Sequence, residues 1–234
     1  GNRFEFRAVG SSQNCSFPIA LVNTVMAAGM AKLSSMIEGG RAHRDAVAEM
    51  YKENRGVIFT GNGYSAEWPA EAKKRGLSNL NTTPLATATF NSEKAKEVFK
   101  AMGVYSAEEC DARQEVMYEN YNTCVSIEVA TLIQMVETGI LPACAEDMAK
   151  YASMTTLAGE RDVTYKGIKT ETDKLKDLIS KKPHDLAAEA AYLCDTVKPQ
   201  MATIRALVDK AEGLLSKGLY PYPTYEQMIY SHHA

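Results

Sequence analysis

Gly1-Asn2-Arg3-Phe4-Glu5-Phe6-Arg7 alternates, and in a strand that alternation sorts the side chains onto two faces. Asn2, Phe4 and Phe6 fall on one face; Arg3, Glu5 and Arg7 fall on the other. The aromatic face suits packing. The opposite face carries cation, carboxylate and cation in a row, with same-face neighbours about 7 Å apart. One anionic ligand or metal–phosphate group can touch all three. Glu5 offers the hard oxygen that Mg²⁺ prefers, and the two arginines offer planar forks for phosphate or carboxylate. An ion-pair ladder on a solvated strand explains the same residues more economically, although such ladders add little stability.

Outward from that strand, the 234 residues suffice for one large domain or a domain with an appendage. A hydrophobic content of 45% with 24% charge is that of an ordinary folded protein and argues against wholesale disorder. Net charge is −3 with no basic block, which argues against nucleic acid or an anionic membrane as the main partner. No unbroken apolar run reaches the roughly 18 residues that a bilayer span needs. Cys15, Cys110, Cys124, Cys144 and Cys194 are scattered without a CxxC pair, so they read as reduced, mostly buried thiols of an intracellular protein. The chain opens in mid-strand without an initiator Met or a signal-peptide pattern. It therefore reads as the later part of a longer polypeptide.

Downstream the pattern turns helical. After the Val9–Asn14 loop, Pro18 opens a helix. Its apolar residues Ile19, Val22, Val25, Met26, Met30, Leu33 and Ile37 predict that it is largely buried. Gly39-Gly40 ends it, and a more charged helix follows over 41–52. Gly56–Thr60 reads as a second short strand closed by Gly61-Asn62-Gly63. Ser65 reads as the N-cap of a helix ending at Arg75-Gly76. The aperiodic, Pro84-containing stretch 79–89 reads as a loop. From Asn91 on, helices dominate. Ser92 caps one that Gly103 ends, and Ser106-Ala107-Glu108-Glu109 has the capping-box form. The long helix it starts has an apolar stripe running from Met117 to Met148, with a kink expected at Pro142. The segment 164–180 and a near-heptad helix (Leu186, Ala190, Leu193, Val197, Met201, Ile204, Val208, Ala211, Leu215) predict an antiparallel hairpin packed on the long helix. A stutter falls near Pro199. The Tyr–Pro-rich tail 219–228 suits docking onto a preformed surface, with Thr224 capping a last short helix.

Other reaction centres are scarce. The four histidines have no HxxxH or HExxH spacing, and no Walker loop, GxSxG or GxGxxG occurs. The cysteines sit on helical stripes as core residues, and Glu108-Glu109 is explained by capping. The hairpin by itself reads as structural.

Several motifs, in order, resemble type III glutamine synthetases. They are Asn2–Arg7, Val9–Asn14 and Leu21-Val22-Asn23-Thr24, then Phe59–Trp68, Lys74–Pro84 and Tyr222–Met228. The resemblance runs nearly end to end but covers only about the C-terminal third of a family member. It implies that Glu5 matches the carboxylate on the divalent metal, Mg²⁺ or Mn²⁺, that bridges the nucleotide phosphates. Arg7 matches the arginine at the glutamate or γ-glutamyl phosphate, and Arg3 the one facing the ATP phosphates. It implies a ligase for glutamate, ammonia and ATP in nitrogen assimilation, assembled as a ring-shaped homo-oligomer, probably a double ring in the family's manner, and cytoplasmic unless an organelle leader precedes it. The expected fold is mainly α, long helices with an antiparallel helical hairpin, plus one or two β-strands belonging to the α+β catalytic barrel. Residues 1–90 would belong to the catalytic domain and 91–234 to a helical region with a docking tail. The chain alone is expected to be inactive. A γ-glutamyl–amine ligase of the same fold and a non-catalytic helical assembly module are the rival readings.

Overall fold

A computed structural model describes residues 14–230, and every described element is helical. The predominantly α architecture agrees with the sequence; the strands do not. Among the described residues there is no β-strand. The strand expected over Gly56–Thr60 is instead a single 3₁₀ turn, Arg55–Val57, running into irregular chain. The Val57 and Ile58 amides bond back to Asn54 and Arg55, and the Ile58 carbonyl accepts from Arg75, so these groups are taken without a ladder partner. The strand read over Gly1–Arg7 lies outside the described residues.

The described chain forms two units, one ending at Gln114 and the other beginning at Glu115. In the first unit, α1 (Ser16–Glu38) and α2 (His43–Glu53) form a helical pair. Gly40 supplies the positive φ of the turn between them (φ +90°). Contrary to expectation, α1 buries only Thr24, and most of its apolar residues face outward. Helix α3 (Trp68–Lys74) begins three residues later than the Ser65 cap predicts. Asn62 takes over the turn there, its Oδ1 accepting from the Tyr64 amide at 3.0 Å. The stretch read as a loop contains α4 (Thr83–Phe90), because Pro84 sits in its first turn, where a missing N–H costs nothing. Helix α5 (Glu93–Ala101) has its Ser92 cap, with the Ala95 amide 3.3 Å from Oγ. Phe17, Phe90, Phe99 and Tyr105 form the aromatic centre of this unit.

Helix α6 (Ala107–Met135) opens on the predicted capping box. The Ser106 amide donates to Glu109 Oε2 at 2.8 Å, and the Glu109 amide to Ser106 Oγ at 3.2 Å. The second unit holds the rest of α6, α7 (Leu141–Ala149), α8 (Arg161–Ser180), α9 (Leu186–Tyr192), α10 (Lys198–Leu214) and α11 (Tyr225–Tyr230). The predicted hairpin is α8 against α9–α10, joined at Lys181–Pro183, and it packs on α6–α7. Ile168, Leu175, Leu193, Val197 and Ile204 are fully buried with Val129, Val136 and Ile140 of the long helix. Each proline flagged in the sequence follows a π-turn. Val136–Ile140 precedes Pro142, and Leu193–Val197 precedes Pro199. The Leu141 amide reaches back five residues to Val136 O, and the Lys198 amide likewise to Leu193 O. The helix continues through both sites with one extra residue in the turn, as π-bulges do.

Two helices, α1 and the continuous helix over 107–149, contain an 18-residue window apolar enough, by length and composition, to cross a membrane. This differs from the count of unbroken runs because windows tolerate scattered polar residues. Core helices pass the same test, as the packing of 125–144 illustrates.

Candidate functional site

The sequence-predicted site residues Arg3, Glu5 and Arg7 lie outside the described residues, so their geometry is not on view. Among the described residues, no three His, Cys, Asp or Glu side chains converge so as to hold a metal ion. The cysteines are all free thiols. Cys110 and Cys144 are buried, Cys194 is half-buried, and Cys15 and Cys124 are exposed, fewer buried than their placement on apolar stripes predicts. Burial pushes the Cys144 thiol up to about 12, which keeps it protonated and unreactive.

Two built clusters remain. The first lies in the motif Phe59–Arg75. The Phe59 and Trp68 rings stack with centroids 4.0 Å apart and planes 27° apart. The Arg75 guanidinium sits over both, 5.6 and 5.7 Å from the ring centroids. Its Nε donates to Glu71 Oε1 at 2.6 Å, and a terminal nitrogen donates to the Ile58 carbonyl at 3.1 Å. That Arg75 hydrogen bond holds the Glu71 carboxyl below its ordinary range. Gly61 lies so close to Phe59 that a Cβ there would meet the ring at 2.5 Å. Together these residues edge an open groove of about 570 Å³ that also takes in Asn62, Glu67 and Lys74. With Glu71 neutralised by Arg75, the groove has no nucleophile–base pair. It can position a chain segment or a ligand but cannot by itself turn one over.

The second cluster centres on Asp147, which is fully buried. Its Oδ2 accepts from Arg161 Nε at 3.0 Å and from the Tyr165 hydroxyl at 2.9 Å. Its Oδ1 accepts from the Ser216 amide at 3.0 Å and the Ser216 hydroxyl at 2.5 Å. Arg161 also donates to the Leu214 and Ala158 carbonyls and covers the Tyr151 ring. Every acceptor is satisfied, so this is a structural tie between α7, α8 and the chain leaving α10. The sequence reading passed over it. The available signal was an acidic residue three positions after Cys144, on the buried stripe of an apolar helix.

Beyond Ser216 the tail behaves as its tyrosines and prolines predict. Tyr220 and Tyr222 pack against the bundle core, and the Tyr222 hydroxyl donates to Met135 O at 3.1 Å. The Thr224 amide donates to Gln227 Oε1 and the Gln227 amide to Thr224 Oγ, a second reciprocal cap.

Comparison with known proteins places this architecture. The glutamine synthetase C-terminal domain family matches residues 42–158. The chain is 30% identical to a type-3 glutamine synthetase of Dictyostelium discoideum, aligning over 98% of its own length and 35% of that protein's. It is 26% identical to a glutamine synthetase of Bacteroides fragilis, over 99% of the chain and 36% of the relative. A glutamine synthetase of Butyrivibrio fibrisolvens is 30% identical over 86% of the chain and 32% of its own length. The chain thus spans about a third of the length of the curated relatives it matches. With the family domain on 42–158 and these relatives aligned over nearly the whole of it, the chain belongs to the glutamine synthetase family and matches the C-terminal portion of its type III members.

Proposed function

We propose that this chain is part of an ATP-dependent glutamate–ammonia ligase and supplies the active site with one strand's worth of charge. The observation that carries the reading is the family match over 42–158 together with relatives named glutamine synthetase along nearly the whole chain. Arg3 faces the ATP phosphates and Arg7 the glutamate γ-carboxylate as it accepts the phosphoryl group. Two guanidinium forks fixed on one strand face offset the charge that gathers on phosphate oxygens, the kind of preorganised electrostatics that phosphoryl transfer rewards. Glu5 is the chain's candidate ligand for Mg²⁺ or Mn²⁺. A divalent ion needs several hard oxygens, and the described residues bring together no such set. They do not fit a complete metal site, and no step is assigned to the metal here. Glutamate, ammonia and ATP are the substrates, the working form is a ring-shaped homo-oligomer in the cytoplasm, and the chain alone is inactive.

The test is Glu5→Ala in the full-length protein. Metal- and ATP-dependent glutamine formation should fall by more than about a hundredfold, with helical content and assembly size unchanged. Glutamine formation at the wild-type rate would sink the reading and leave a helical assembly module. Glutamine formation by the purified 234-residue chain would refute its inactivity. Running ammonia against methylamine in the same assay separates the ligase from a γ-glutamyl–amine ligase.

A further inference from the structure

We propose that the uncharged outer face of α1, centred on Ile19, Met26 and Met30, is a packing surface for the part of the same polypeptide that lies outside this chain. The inference rests on the reading of the chain as part of a longer glutamine synthetase. No charged residue occurs from Ser16 to Ala31, a span of about 22 Å along the helix. The inner side of α1 meets α2 and α5. On the outer side Ile19, Met26 and Met30 recur at seven and four, in one stripe, and are 55%, 59% and 65% exposed. Asn23 and Ala27 fill the same side. Solvated helix faces carry charge, whereas helices apolar on all sides belong to the interior of a larger body or to a membrane.

Three occupants compete for this face. A bilayer is disfavoured by the neighbours, since α2 is rich in charge and Lys32 of α1 is ion-paired with Glu53 beyond the end of α2's last turn. A second copy would have to outcompete a covalently attached surface, whose effective concentration is high. The attached remainder is large, because the relatives are about three times the length that this chain spans. The occupant is therefore an apolar, charge-free surface of the same polypeptide.

Methionine oxidation of the full-length protein tests this. The protein is treated with hydrogen peroxide and the peptide holding Met26 and Met30 is followed by mass spectrometry, with urea-unfolded protein as the reference. The expected result is oxidation slowed by more than about tenfold, both in the assembled protein and after the assembly is dissociated to folded monomers. Slowing lost on dissociation would assign the face to a second copy and overturn the proposal. Rapid oxidation throughout, or slowing only with phosphatidylglycerol vesicles, would also overturn it. Glutamine formation assayed on the same preparation keeps the two readings apart: protected methionines without ligase activity leave this inference standing and the functional one fallen.

Discussion

Arg161 Nε lies 3.0 Å from Oδ2 of Asp147, a carboxylate with no solvent exposure, and the pair ties the start of α8 to α7. Burial pushes the Asp147 carboxyl up, but the Ser216 hydroxyl and amide, the Tyr165 hydroxyl and Arg161 more than offset this and hold it below its ordinary range. A carboxyl depressed in the folded state stabilises fully above its unfolded pKa, about 4, and loses that stabilisation as pH falls through the folded value. Asp147→Asn should therefore cost about 3–5 kcal/mol at pH 7, since it leaves Arg161 without its charged partner. The gap between variant and wild type should narrow below about pH 4. Urea unfolding at pH 7 and pH 3 reads both numbers. A gap independent of pH would mean that the charge on Asp147 contributes nothing.

Gly139 makes room for the tail. A Cβ at this position would stand 2.6 Å from the Tyr222 hydroxyl oxygen and 3.0 Å from the ring carbon bearing it. Gly139→Ala should expel the ring, break its hydrogen bond to Met135 O, and cost about 1–3 kcal/mol. In a Tyr222→Ala background the same change should instead stabilise by about 1 kcal/mol, because alanine is the better helix former and nothing remains to clash. Thermal unfolding of the four proteins of this cycle gives the answer. Equal effects in both backgrounds would show that the residues are uncoupled.

These two contacts mark where the sequence is readable and where it is not. The hairpin was legible because Leu193, Val197, Ile204 and Ala211 repeat with a helical period, and all four are buried. The caps at Ser92, Ser106 and Thr224 were legible because a cap is a local bond between residues three apart. Asp147 meets Ser216 across 69 residues, a separation that no local pattern encodes. The Gly56–Thr60 strand failed for a related reason. Valine, isoleucine and phenylalanine favour strands only where a neighbouring strand accepts the ladder, and here Phe59 turns to stack on Trp68 instead. The candidate site was readable only as three alternating charges and their resemblance to a family, because its remaining groups lie beyond this chain.

Trp68 is the single tryptophan, so the Phe59–Trp68–Arg75 cluster carries its own probe. Arg75→Ala removes the cation above both rings and the donor to the Ile58 carbonyl. The loss should be about 1–2 kcal/mol locally, a stacked cation and one charged hydrogen bond at a partly exposed site. Tryptophan emission should shift to the red as the 55–61 segment loosens, while far-ultraviolet helicity stays constant. Arg75→Lys should not rescue it, because an ammonium lacks the planar fork. An unshifted emission spectrum would show that the stack holds without Arg75.

The π-turn before Pro142 bears on what a proline costs inside a helix. In an unbroken α-helix a proline removes the bond to the carbonyl four residues back and clashes with it, at about 3 kcal/mol. Here the Leu141 amide already reaches five residues back to Val136, so the turn is widened where the ring needs space. Val136 and Ile140, both almost wholly buried, hold that widened turn from within. Reverting to an α turn would rotate everything downstream by about 100° and swing Asp147 away from Arg161. Pro142→Ala should therefore keep the π-turn and raise stability by less than about 1 kcal/mol, and Pro199→Ala should behave alike. A gain near 3 kcal/mol in urea unfolding, or a crystal structure of the variant with an uninterrupted α register, would mean that the proline and not the core imposes the extra residue.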